Sequence, residues 1–540
     1  MKTNSDVFRC LKTALLALAL PLSGQAQFNY FVNNGAATIT EYTGSGGAVT
    51  IPGTLGGFPV KEIGSYAFNN TPYVNYSLTS VTFPNSVTDI DDHAFEYCYG
   101  LTNVTFGSGL VSMGLDAFIF CTSLPSVSLP ASATNLGPGV FGECESLTNI
   151  SLPPTLPRIS PALLAGCYNL GTVAIPSSVT SIDDEAFSGC YNLTNIVLPA
   201  GVTNIGDRAF AGCTMLKSFV IPPNVDNIGG EAFQGSSALE TLEVPASVLS
   251  IGIYAFNNCL SLTNISVSPS NPNYSSVDGV FFDKPVTTLI SYPAGRAGGY
   301  IVPDAVTNFE PNCFNNCLKL YSLTFPASVT QLNDNLLLYE TSLTNVILPD
   351  GLKSIGYGTF EETGLTHITI PNSVTNIGSG AFAQCPLTSV TIPAGVVNIG
   401  QSAFSSCTNL HVAYFLGNAP TINGDDGSED FSVFIGDGET GTVLYLPGAA
   451  GWKTNYGGWP TMMGSFASHP EITSHTAGVQ SNPFHFNINW VPDTYVVVEA
   501  STNLINWTPI ATNTLTAETN TFADDSWTNY PKRFYRVRSF

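Results

Sequence analysis

The sequence predicts a mainly β solenoid of about 14 coils, each about 23 residues long, followed by a small β-sandwich. Three observations predict it. A large apolar plug recurs at Phe68, Phe95, Phe118, Phe141, Leu164, Phe187, Phe210, Phe233, Phe256, Phe314, Leu337, Phe360, Phe382 and Phe404. Every step from Phe95 to Phe256 is 23 residues, and a fixed period of this length means stacked, nearly identical coils. The period stops near residue 410, and strand-like segments without it fill the last 65 or so positions.

One copy shows how a coil is built. After Phe187 come Cys190, Leu193, Ile196, Leu198, Pro199, Val202, Ile205, Gly206 and Ala209, then Phe210. Leu193-Thr-Asn-Ile-Val-Leu198 has the L-x-x-I-x-L spacing of a leucine-rich-repeat strand. Its leucines and isoleucine face inward, while Thr194, Asn195 and Val197 face out. Pro199 cannot donate to a ladder and ends the strand. Val202 and Ile205 form a second short apolar edge across the coil. Gly206 holds a position that is Gly in most copies and Asp at Asp91 and Asp183, so a left-handed corner is expected there. Small Ala209 lets the chain approach the core that Phe210 fills. A single coil buries too little apolar surface to stand alone, so stability comes from stacking.

The insert and the ends depart from the period. The 58-residue step after Phe256 holds one coil plus a Pro-, Gly- and Tyr-rich excursion near 268–303. Gly279-Val-Phe-Phe and Thr287-Thr-Leu-Ile within it read as a hairpin. The solenoid is expected over 27–410, with 411–464 closing its end as a cap. The loop 423–441 gathers six acidic residues, but its spacing does not match an EF-hand, and a solvated acidic loop is expected. Residues 465–474 read as a linker. The β-sandwich over 475–540 carries strands at Phe484–Trp490, Tyr495–Ala500, Trp507–Ile510 and Phe534–Arg538. That segment is similar to a small fibronectin type III domain. Trp507, Trp527 and Tyr530 offer a glycan or sorting platform, while Trp507 at least reads as a core aromatic of the small sandwich.

The N-terminus reads as a secretory signal over 1–26. Lys2, Arg9 and Lys12 precede the short apolar run from Ala14 to Leu22, and Gly24-Gln-Ala26 offers a cleavage site. That run is too short to span a membrane comfortably, and no transmembrane segment is expected in the mature chain. The chain carries 16 Lys and Arg against 39 Asp and Glu, a net charge of −23, which opposes nucleic acid and anionic membrane surfaces. Twelve cysteines in an exported chain first suggest disulfides. Ten of them, at 98, 121, 144, 167, 190, 213, 259, 317, 385 and 407, follow a plug by three residues. Stacking holds such side chains parallel at about 4.8 Å, whereas a disulfide needs about 3.8 Å between Cβ atoms. The column therefore reads as packed thiols, with some bridges left open by the oxidising setting. Thr71, Ser236, Glu340 and Thr363 replace it singly.

The repeat resembles the BspA-type leucine-rich-repeat proteins. Leu147-Thr-Asn-Ile-Ser-Leu-Pro153 and Leu193-Thr-Asn-Ile-Val-Leu-Pro199 carry the shared pattern, which closes on I-G-x-x-A-F-x-x-C. Ile63-Gly-Ser-Tyr-Ala-Phe68, Asn271-Pro-Asn-Tyr274 and Tyr414-Phe-Leu-Gly-Asn-Ala-Pro420 look like that family's entry, insert and closing cap. The resemblance covers about 27–464. It implies a secreted or cell-surface interaction protein, some relatives being adhesins, and names no partner.

The residues do not spell an enzyme. There is no G-x-S-x-G elbow, H-E-x-x-H or Walker loop. Asp91/Asp92 and Asp183/Asp184 are paired carboxylates at a coil corner and read as turn residues. No cofactor and no metal site is expected, since no CxxC or Cys/His spacing occurs. The outward strand column is more informative, reading Thr105, Ser128, Ser151, Ala174, Val197, Val220, Glu243. Ala174, Val197 and Val220 make an apolar stripe in a polar ladder, flanked by Lys217, Glu240 and Glu243. An exposed apolar patch with a polar rim marks a candidate ligand face, neutral drift of the repeats being the plainer alternative. The expected function is adhesion or recognition of an extracellular protein or glycan. The alternatives are a self-associating matrix component and a carbohydrate-associated accessory protein acting through the C-terminal β unit.

Overall fold

The computed structural model describes residues 27–69, 77–423, 433–436, 441–464, 471–475, 484–490, 495–502, 507–515, 519–524 and 533–539. No helix occurs among them. The chain divides into two compact units, Met1–Ser261 with Val267–Asn273 and Leu262–Ser266 with Tyr274–Phe540. The architecture is a leucine-rich-repeat β-solenoid of about 16 turns.

In the first unit each coil has two strand sides, and they are not bonded alike. The two-residue strands Arg158–Ile159, Ser181–Ile182, Asn204–Ile205, Asn227–Ile228 and Ser250–Ile251 form one continuous parallel ladder, each displaced by a coil. The L-x-x-I-x-L strands bond mostly in pairs. Ser126–Ser128 pairs with Asn149–Ser151 and Thr172–Ala174 pairs with Asn195–Val197, and no ladder joins the two pairs. After Val197 the ladder stops again, and the next bonded pair is Ser218 with Thr241. A parallel ladder holds strands at about 4.8 Å. The interrupted side is therefore the less continuously bonded edge of the stack.

The plugs stack as the period requires. Ring centroids lie 4.8 Å apart for Phe95 and Phe118, 5.4 Å for Phe187 and Phe210, and 5.6 Å for Phe210 and Phe233. All these rings are fully buried. The column also runs past the periodic copies. Tyr42 stacks on Phe68 at 5.0 Å in the first unit. In the second, Phe434 stacks on Phe404 at 5.7 Å and Trp459 on Phe434 at 4.3 Å. The cap is thus built from further coils whose plugs come from irregular sequence. Their strands confirm it, since Thr442–Tyr445 continues the parallel ladder of Val412–Phe415 and pairs onward with Trp459–Met463.

The insert is a hairpin that returns to the stack. Tyr274–Val277 and Val280–Asp283 pair antiparallel, and Thr288–Ser291 then joins Asn308–Phe309 in parallel. Tyr292 takes the plug position below Phe314, with ring centroids 5.5 Å apart. The extra residues therefore supply a coil of their own.

The glycine corner differs from the expectation. Gly206 is not left-handed; positive φ falls instead at Arg208 (53°) and Gly212 (71°), two residues either side of the plug. The same two positions turn in other copies, as at Glu185 (57°) with Gly189 (72°) and Ser402 (58°) with Ser406 (57°). Gly206 is glycine for room. A methyl there would lie 2.5 Å from Asp184 Oδ1 and 2.6 Å from the Asp184 nitrogen. At Gly206 the backbone of the preceding coil, at Asp183 and Asp184, comes too close for a side chain, whereas Asp91 and Asp183 hold the same slot in other coils.

At the C-terminal end, two three-stranded antiparallel sheets share a core. Phe484–Asn489 is central to Glu471–His475 and Thr519–Asp524, and Tyr495–Ser501 is central to Thr508–Thr514 and Phe534–Ser539. Phe486, Ile488, Trp490, Val496, Val498, Leu515 and Phe522 fill the space between them. The likeness to fibronectin type III remains a reading of the sequence. The signal segment, Cys10, most of the loop 423–441, Trp527 and Tyr530 lie outside the described residues.

Candidate functional site: the outward strand face

Alternation along the strand places the candidate face. Ile196 points into the core, so Asn195 and Val197 point out. Ala174 and Val197 are register partners on adjacent coils, and both are exposed. Val197 is 72% exposed and Val220 81%. The side chains Thr172, Ala174, Ser177, Asn195, Val197 and Pro199 border one shallow, open depression. Val220 lies across the ladder gap from Val197, two residues beyond the Ser218–Thr241 bridge and beside Glu243. Lys217 and Glu240 are neighbours, the Glu240 N–H donating to the Lys217 carbonyl at 3.1 Å, and both are exposed. The six residues thus divide into Ala174 with Val197 on one bonded pair, and Val220, Lys217, Glu240 and Glu243 on the next. The strand pattern shows the outward column; nothing local in it shows the gap.

The other candidates resolve into structure. Asp184 Oδ1 accepts the Asp207 N–H at 2.9 Å, and Asp92 Oδ1 accepts the Leu115 N–H at 2.7 Å. These carboxylates cap the next coil's backbone. Burial pushes Asp91 up to about 7, with a shared hydrogen bond to Glu62 adding to it. Asp183 lies 3.4 Å from Arg158 Nη1. Trp507 lies beneath the Arg536 guanidinium, 4.5 Å from the ring centre. Among the described residues no group of three or more His, Cys, Asp or Glu could hold a metal ion.

The thiol column is internal. Eleven described cysteines are free and buried. Cys167, Cys190 and Cys213 each place Sγ 3.2–3.3 Å from the carbonyl of the preceding plug, at Phe141, Leu164 and Phe187. Ser236 makes the same bond to Phe210 at 2.8 Å. Burial pushes the Cys190 thiol up to about 12, which keeps it protonated and unreactive. Glu340 is the odd member. It is 1% exposed, neither oxygen makes a full hydrogen bond, and burial pushes its carboxyl up to about 8. The nearby backbone of Cys317 and Asn316 pulls it part of the way back.

The model for the BspA type Leucine rich repeat region matches residues 61–194, 180–291 and 299–411, with six copies. The chain belongs to the BspA-type leucine-rich-repeat family. A leucine rich cell surface protein from Faecalibacterium prausnitzii A2-165 is 29% identical, with 77% of this chain and 96% of that one covered and a TM-score of 0.45. The T. pallidum leucine rich repeat protein is 34% identical over 35% of this chain and 88% of its own, with a TM-score of 0.34. A leucine-rich repeat protein from Bacteroides ovatus is 20% identical over 78% and 94%, with a TM-score of 0.38. No curated protein was found to match the sequence. BspA-type proteins are repeat proteins of the bacterial surface, and their solenoids serve interaction. No helix among the described residues is long and apolar enough to cross a membrane.

Proposed function

We propose that this BspA-type chain is an exported adhesion or recognition module, and that the outward strand face of its first unit binds an extracellular protein or glycan. The observation that carries this reading is the exposure of Val197 and Val220 in the outward column of the first unit, whose neighbouring slots Thr105, Ser128, Ser151 and Glu243 are polar. Ala174 extends the stripe by one coil, and Lys217, Glu240 and Glu243 rim it. An apolar centre supplies binding energy, and a charged rim sets orientation. The strands are held by stacked plugs, so binding costs little ordering.

The test is a binding screen of the secreted chain against matrix proteins, bacterial cells and a glycan array. The paired change Val197→Asp with Val220→Asp is run beside it. Loss of the captured ligand with the solenoid intact supports the face. Unchanged binding by the folded variant removes it from the site. Concentration-dependent light scattering that the same pair abolishes would instead make the stripe a self-association surface.

A further inference from the structure

The second unit carries the same outward strand column, and part of it is covered. Ala413 and Phe415 belong to the solenoid core, so Val412 and Tyr414 point outward. Val443 is likewise internal, and Leu444, the register partner of Tyr414, points outward. Tyr414 therefore holds the slot that Val197 holds in the first unit. Val197 is 72% exposed, yet Tyr414 is 6% exposed. Its cover is the C-terminal β module. The Tyr414 ring forms one core with Phe486, Ile488, Trp490, Val496, Val498 and Phe522, and Val412 and Leu444 pack against the same cluster. Further along the face, Thr512 closes a small pocket with Asn345, Ile347, His367 and Thr369.

We infer that the C-terminal module is the resident occupant of one end of the second unit's strand face, seated on Tyr414 and Leu444, and that it closes this end to outside ligands, while Ile301 in the same outward column stays 74% exposed. A β unit of about 65 residues buries a small core and is marginal alone. Tyr414 adds a large aromatic to that core from outside the module. The seat and the module thus stabilise each other: the module loses core without Tyr414, and the face exposes Tyr414 and Leu444 without the module. An exposed apolar face of that kind would recruit other molecules. Covering it leaves the Ala174–Val197–Val220 stripe as the open apolar stretch of this column in the first unit. That last consequence rests on the function proposed above; the seating does not.

Two measurements on the full secreted chain test the seating without any ligand. Hydroxyl-radical footprinting compares Tyr414 with Tyr321, which is 57% exposed. Tyr414 is expected to react at least about tenfold more slowly. Hydrogen exchange then follows Phe484–Asn489, Tyr495–Ser501 and Thr519–Asp524 in Tyr414→Asp. Exchange there is expected to speed by about tenfold or more, because a buried unpaired charge replaces the ring. Exchange at Asn204–Ile205 should not move, and Val197→Asp should leave the C-terminal strands unchanged. Should Tyr414→Asp also open Val412–Phe415, Leu444→Asp decides: faster exchange in the module supports the seat, and unchanged exchange overturns it. Oxidation of Tyr414 as fast as Tyr321, or C-terminal strands indifferent to both changes, overturns it as well. A seat that holds while Val197→Asp with Val220→Asp leaves binding intact would refute the proposed ligand face alone.

Discussion

Cys213 Sγ lies 3.3 Å from the carbonyl oxygen of Phe187, one coil earlier, and the same contact to the preceding plug recurs at Cys167, Cys190 and Ser236, whereas the Thr363 hydroxyl donates to Phe360 of its own coil. The Phe187 carbonyl also accepts the Cys190 N–H at 3.2 Å, so the next coil's small side chain supplies a second donor to a buried acceptor. Replacing Cys213 by Ser preserves the donor, as Ser236 shows, and is expected to cost no more than about 1 kcal/mol. Cys213→Val removes it and is expected to cost about 1–3 kcal/mol. Urea unfolding of the two variants side by side checks the order.

Thiol reagents offer a second test of that column. All eleven described cysteines are buried, and burial pushes the thiols of Cys98, Cys167 and Cys190 up, which keeps them protonated. Native protein should take up no maleimide at these positions on the timescale that labels them fully in denaturant. Rapid labelling at Cys167 or Cys190 in the native chain would contradict the packing described.

Glu340 makes the fold sensitive to pH in a definite direction. Its folded pKa of about 8 lies above the usual glutamate value of 4.5. Below about pH 4.5 both states hold the proton and the group is neutral in effect. Between about 4.5 and about 8 the unfolded chain releases the proton while the folded chain keeps it, so stability falls as pH rises. Glu340→Gln, or Glu340→Cys restoring the column, is expected to gain on the order of 2–4 kcal/mol at pH 8 and little at pH 4. Chemical denaturation of both proteins at the two pH values measures this, and an equal gain at both would refute the assignment.

The two kinds of glycine should respond differently to alanine. Gly206→Ala drives a methyl to 2.5 Å from Asp184 Oδ1 and 2.6 Å from its backbone nitrogen, so the coils must separate. A loss of about 2–4 kcal/mol is expected. Gly212→Ala meets nothing closer than 3.6 Å and costs only its left-handed φ, about 1 kcal/mol. Conversely, Ser402→Gly relieves a residue at φ 58° and should be neutral or slightly stabilising. Thermal unfolding of the three variants ranks them.

The solenoid, its plugs and its outward column were legible in the sequence because they are periodic. A 23-residue repeat forces equivalent residues onto equivalent places, so Phe187 and Phe210 had to stack and Ala174 had to lie beside Val197. Tyr42, Phe434 and Trp459 were not legible as plugs, because no period marks them. They enter the column only through the ladders that carry them. Gly206 was recognised as a special position for the wrong reason. Turn chemistry and close approach select the same residue, and only the distance to Asp184 separates them.

The amino-acid pattern by itself determined a stacked coil, its inward and outward faces, and membership of the BspA-type repeat family. Those follow from side-chain alternation and from the need of each coil to bury its plug against a neighbour. Tertiary structure alone decided where the outer ladder opens beside Val197 and which outward slots are covered. Both depend on contacts between residues distant in the chain: the pairing of outer strands one coil apart, and the approach of Phe486 and Val496 to Tyr414. Local periodicity carries no term for either.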